Sequence, residues 1–160
     1  MMKKFCLLAM CSLVMFAAAP QALAQGGVKT GPDVVHDPDL EKDSLHNLVV
    51  ARQYFTLRKA YVASLQRCEE IIAGNPVFSK IDEALFIAGK SNLYLSEGKG
   101  KQKPSLYKRA GASISSDEFR DEARSYFSQL VDSYPDSKFR AEALEDLKAL
   151  GGPKAKNSKQ

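Results

Sequence analysis

The chain has 160 residues, 44% hydrophobic and 26% charged, with a formal net charge of +4 and three cysteines. That is enough apolar material for one packed domain, too much for a disordered polymer, and too even a charge balance to mark a nucleic-acid binder. Cys6 and Cys11 fall in the leading apolar run and Cys68 stands alone, so no disulfide framework is available.

Lys3 and Lys4, an apolar run from Phe5 to Ala19, then Pro20 and Ala22-Leu23-Ala24 before Gln25 give residues 1–24 the order of a secretory signal peptide. The run is about 15 residues, where a membrane-spanning helix needs about 20. Cys11 follows the bulky Met10 after a short apolar core, which makes it a poor lipid-attachment site. Removing the segment leaves 136 residues and, with Lys3 and Lys4 gone, a net charge of +2. Residues 25–42 combine glycine, proline and charge without periodicity and are expected to be a flexible lead.

Five helices are predicted over residues 43–150. The first, Asp43 to Leu57, carries Leu45, Leu48, Ala51 and Phe55 at helical spacing. The second, Ala60 to Ala73, carries Tyr61, Leu65, Cys68 and Ile72, and Gly74 is expected to end it in a left-handed cap. The third runs from Lys80 to Glu97 behind a Ser79 cap. A long irregular segment, residues 98–116, follows; it holds Lys99, Lys101, Lys103, Lys108 and Arg109, with no acid between Gly98 and Ser116. It is either an inserted loop or a short helix.

The fourth helix has the clearest signal. Ser115 with Glu118 forms a capping box, and Phe119, Ala123, Phe127, Leu130 and Tyr134 follow at steps of 4, 4, 3 and 4. The fifth, Lys138 to Leu150, follows a Ser137 cap. Gly151-Gly152-Pro153 then opens a lysine-bearing tail over residues 151–160, expected to be disordered.

Two helix endings repeat. Cys68 to Pro76 is matched 59 residues later by Phe127 to Pro135, and each proline is followed seven residues on by Glu-Ala-Leu, at Glu83 to Leu85 and Glu142 to Leu144. Helix, proline and helix in self-similar units point to an array in which each pair buries its apolar face against its neighbours. Ala123, Phe127 and Pro135 stand at the small, aromatic and proline positions of the tetratricopeptide repeat, and Ser64, Cys68 and Pro76 at the equivalent places. Tyr134-Pro135-Asp136-Ser137 with Ala141 and Ala143, and Asn75-Pro76 leading into Ile81 to Leu85, resemble the BamD-type outer-membrane assembly lipoproteins over about residues 44–150. Periplasmic repeat proteins linked to the Tol-Pal system carry similar wording. The expected fold is all-α, with antiparallel helix pairs stacked as a short, right-handed, tetratricopeptide-like solenoid of about two and a half repeats. The resemblance implies a periplasmic scaffold, exported by the signal peptide, that docks on another protein in the bacterial envelope; association with the outer membrane and its assembly machinery fits the same resemblance.

Chemistry finds little support in the residues. Gly89-Lys90-Ser91 has the tail of a phosphate-binding loop, but Ala84 stands where its first glycine belongs and the segment reads as mid-helix. Gly89 is better explained by a close helix crossing. His36 and His46 lack partners at ligand spacing, and Cys68 occupies a core position, so neither a metal, a cofactor nor a nucleophile is expected. No nucleic acid is expected either. The basic segment 98–116 has two readings, a weak contact with anionic surfaces and a solvated loop. The second is stronger, because lysine-rich loops without arginine clusters or flanking aromatics are common.

The expected function is therefore non-catalytic protein binding, with a self-associating structural module or a Tol-Pal-linked periplasmic repeat protein as the alternative. First helices of such pairs line the inner groove, which places Gln53, Thr56, Lys90 and Tyr94 on the partner-binding surface. On this reading Lys90→Glu weakens binding and leaves helicity intact.

Overall fold

The computed structural model describes residues 37–153. Residues 1–24, expected to be a signal peptide, residues 25–36 of the expected lead and residues 154–160 of the expected tail lie outside the described residues. Within them the protein is built from five α-helices and one very short hairpin.

Helix α1 is Pro38–Arg52, five residues longer at its start than the sequence predicts. The Asp37 side chain accepts from the backbone N–H groups of Asp39 and Leu40, and Pro38 takes the first turn, where its missing N–H costs nothing. The predicted lead thus ends at its cap, not at residue 42. The helix continues as a π-helical stretch, Gln53–Arg58, and stops at Lys59, whose φ of 50° is left-handed.

Helix α2 is Tyr61–Gly74, α3 is Ile81–Ser96, α4 is Ser116–Ser133 and α5 is Arg140–Ala149. The expected left-handed cap at Gly74 is absent. Gly74 is the last helical residue and the chain turns out through Asn75, at φ −142°. The Asn75 side chain instead reaches back to donate to the Ser44 hydroxyl on α1. At α4 the capping box forms as expected: Ser115 Oγ accepts from the Glu118 N–H, and Glu118 Oε2 accepts from the Ser115 N–H at 2.6 Å.

Each helix packs against its neighbours in sequence, and α3 is the most deeply enclosed because α2 and α4 both cover it. Leu48, Leu65, Leu85, Phe119, Phe127 and Leu130 are fully buried at these contacts. Small residues set the spacing. Ser64 is buried on α2 and its hydroxyl donates to the Ala51 carbonyl, which satisfies a polar group at the α1–α2 crossing. At the α3–α4 crossing the Phe127 ring lies against Gly89, where a Cβ would come within 2.5 Å of it.

Residues 98–116 are ordered. A 3-10 turn, Pro104–Leu106, leads into a hairpin of β1 (Lys108–Arg109) and β2 (Ala112–Ser113). Tyr107, buried beneath it, packs on Phe119 and donates its hydroxyl to Glu69 of α2 at 2.6 Å.

Candidate protein-binding clefts

The four residues expected to line a groove are placed in different ways. Gln53 and Thr56 sit exposed on the π-helical stretch, where the Thr56 hydroxyl donates to the Arg52 carbonyl of its own helix. Lys90 and Tyr94 do meet, with the ammonium 6.0 Å from the ring centre. Yet Lys90 is already engaged. Its side chain is only 12% exposed, and its ammonium lies 2.8 Å from Glu142 and 2.7 Å from Asp146, both on α5. Tyr94 is packed between Phe55 and Tyr61, with ring centres 5.8 and 4.9 Å away.

What the fold opens instead is a pair of clefts at the proline turns. One, of about 350 Å³, is lined by Phe78, Ile81, Asp82, Tyr134, Pro135 and Ser137, among others. The other, of about 380 Å³, lies beside it and is lined by Arg52, Lys80, Glu83, Asp136, Lys138 and Phe139, again with Asp82 and Ser137. The Ser137 hydroxyl donates to Asp82 Oδ2 at 2.6 Å, so one hydrogen bond from the turn before α5 to the start of α3 serves as a wall common to both clefts.

The sequence explains why these residues face outward. The prolines end the preceding turn and keep the chain from continuing as helix. Ser79 and Ser137, the expected caps, then spend their hydroxyls on other elements: Ser79 donates to Glu41 of α1 and Ser137 to Asp82 of α3. The caps themselves are Lys80 and Phe139, which make no side-chain cap bond. Each serine therefore ties one turn to an earlier helix, and charges beside it stay at the surface. Lys80, Asp136 and Lys138 are exposed, while Arg52 and Glu83 hold each other at 2.5 Å.

This lining is polar and of mixed sign. It offers donors and acceptors to an extended segment or a turn of another chain, but lacks the enclosure that small-molecule sites provide. Among the described residues no group of three His, Cys, Asp or Glu side chains could hold a metal ion. Cys68 is fully buried, and burial holds its thiol far above the usual cysteine range.

A second polar cluster lies on the far side of α2. The half-buried Glu69 accepts from Tyr107, and Tyr126 of α4 approaches it at 3.5 Å. Burial pushes the Glu69 carboxyl above its ordinary range although both hydroxyls oppose this, and burial with the Glu69 contact pushes Tyr107 up to about 12. The cluster fastens the hairpin to α2 and α4, with Arg109 on Glu122 at 2.8 Å alongside.

The clefts had a sequence signal, the repeated proline turn, although Ser79 and Ser137 read there as caps. Comparison of the chain with protein-family models, with curated proteins and with solved structures gives no match.

Proposed function

We propose that the chain is a short tetratricopeptide-like stack of helix pairs that binds another protein through the clefts at its proline turns. The observation that carries the reading is the Asp82–Ser137 bond between the start of α3 and the turn before α5, flanked by exposed Lys80, Asp136 and Lys138. Repeat arrays present adjacent turns and first helices as one continuous surface, and mixed charge there favours selective over indiscriminate association. The signal-peptide order of residues 1–24 and the resemblance to BamD-type proteins support an envelope partner, with outer-membrane protein assembly as the process.

The test is a photoreactive amino acid placed singly at Lys80 or Lys138, and at the exposed Gln66 and Gln129 on α2 and α4 as controls. The reading expects one discrete adduct from the cleft positions and none from the controls. Equal yields from all four positions contradict it.

Self-association is the second reading. Leu45 and Val49, one turn apart on α1, are 37% and 45% exposed, an apolar pair on the first helix that a second copy would cover. Sedimentation over a range of concentrations separates the readings, since a monomer throughout removes the second.

A further inference from the structure

We infer that the edge formed by the α1–α2 turn and the loop after α3 is a docking surface for an anionic phospholipid membrane. In sequence these segments are about forty residues apart, and residues 97–106 themselves contain neither arginine nor an aromatic side chain. The fold sets the segment from Arg58 to Tyr61 beside them.

Three contacts staple the segments. The Lys101 N–H donates to the Lys59 carbonyl at 2.9 Å. The Gln102 side-chain oxygen accepts from the Ala63 N–H at 3.0 Å, giving the first turn of α2 the cap that Ala60 cannot provide. Gly100, at φ +96°, lies so close that a Cβ would be 2.6 Å from the Tyr61 ring and 2.7 Å from the Lys59 carbonyl. Five exposed cations, Arg58, Lys59, Lys99, Lys101 and Lys103, thereby share one edge. The only acid in residues 57–63 and 97–106 is Glu97, which pairs with Lys99.

Two features fit a membrane better than an acidic protein. Leu57, at the tip of the turn, is 77% exposed, the most exposed large apolar side chain among the described residues. An apolar side chain flanked by cations and tyrosines has the make-up of an interfacial anchor, in which the side chain enters the acyl boundary and the charges meet headgroup phosphates. The aromatics are also in place. Arg58 lies 5.5 Å over Tyr54 and Lys99 5.4 Å over Tyr94, so the cationic heads are held outward on a rigid base of rings. Lys59 keeps a left-handed backbone that glycine adopts at lower cost, which retains a charge where the turn alone does not require one.

The test is co-sedimentation of the full chain with vesicles of equal parts phosphatidylglycerol and phosphatidylcholine, against phosphatidylcholine alone. The neutral vesicles measure what the apolar run 5–19 contributes, which all variants share. Binding to the anionic vesicles is expected to exceed that to the neutral ones and to fall with salt. Lys101→Gln with Lys103→Gln should weaken the anionic component about 25-fold, at about fivefold per basic residue. Gly100→Ala leaves the charge unchanged but detaches the loop, and is expected to lose about fivefold or more; circular dichroism checks that the helices persist, and if they do not, the lysine variant decides alone. Equal binding to both vesicles, or wild-type binding by the lysine variant, overturns the inference. So does capture of a polyglutamate peptide, with the same sensitivity to the variants, by a chain that ignores anionic vesicles; that result assigns the edge to an acidic protein.

Discussion

Arg52 on α1 holds Glu83 on α3 through paired bonds, Nε to Oε1 at 2.5 Å and Nη2 to Oε2 at 2.6 Å. The relationship recurs one unit later, where Lys90 on α3 meets Glu142 on α5 at 2.8 Å. Glu83 and Glu142 are the first residues of the two Glu-Ala-Leu triplets, and the alanines that follow, Ala84 and Ala143, are both fully buried. The repeated triplet thus has a physical content. Its glutamate takes a cation from the preceding unit's first helix, and its alanine lets a neighbouring helix come close.

Lys90→Glu follows from this pairing. It sets a third carboxylate against Glu142 and Asp146 in a place where the side chain is only 12% exposed. The expected cost is about 2 kcal/mol, with Lys90→Gln intermediate. Urea denaturation followed by circular dichroism measures it. The substitution is therefore a probe of how α5 is held, not the clean test of binding that the sequence suggests, and an unchanged midpoint for Lys90→Glu contradicts the contact.

Gly89→Ala ordinarily stabilises a helix by about 1 kcal/mol. Here the added methyl meets the Phe127 ring at 2.5 to 2.9 Å, and Phe127 is fully buried with Phe86 also against it. The clash outweighs the propensity, so a net loss of about 1–3 kcal/mol is expected. Gly89→Ala combined with Phe127→Leu should recover part of it. A stabilised single variant contradicts the crossing.

Glu69 predicts a pH dependence. Its folded pKa is raised, chiefly by burial, so the folded protein holds this proton more tightly than the unfolded chain. Its contribution to stability is therefore most favourable below the ordinary glutamate pKa and declines as pH rises through the raised one. Glu69→Gln keeps an acceptor for the Tyr107 hydroxyl and removes the titration. Comparing denaturation of wild type and variant across the mildly acidic range should show the variant gaining on the wild type as pH rises. A difference that stays constant with pH refutes the assignment.

Much of α4 was legible in the sequence, because its signals are local. The capping box lies within four residues, and Phe119, Ala123, Phe127 and Leu130 fall on one helical face, all fully buried. The start of α1 was missed although its signal was also local: Asp37-Pro38 is a cap followed by a first-turn proline, obscured by the glycine and proline around it. The clefts and the basic edge depend on contacts between residues 31 to 55 positions apart, such as Arg52 with Glu83 and Ser137 with Asp82. Nothing in a single segment specifies those partners. Lys90 resembled a free groove residue because its two acids lie on a helix more than fifty positions away.

Cys68 sits at the same repeat position as Phe127 and is equally enclosed. With Cys6 and Cys11 replaced by serine, the remaining thiol should react with a thiol reagent only through opening of the fold, orders of magnitude slower than in denaturant. Rapid labelling of the native protein contradicts a closed core at α2.

The whole account depends on successive helix pairs docking by the same contact, and a double-mutant cycle on Arg52→Gln and Glu83→Gln measures that contact directly. With Arg52 38% exposed, solvent screening limits the expected coupling to about 0.5–1 kcal/mol in favour of folding. A stabilising coupling of that size, shrinking in high salt, is the predicted result. Strictly additive effects of the two substitutions would contradict it.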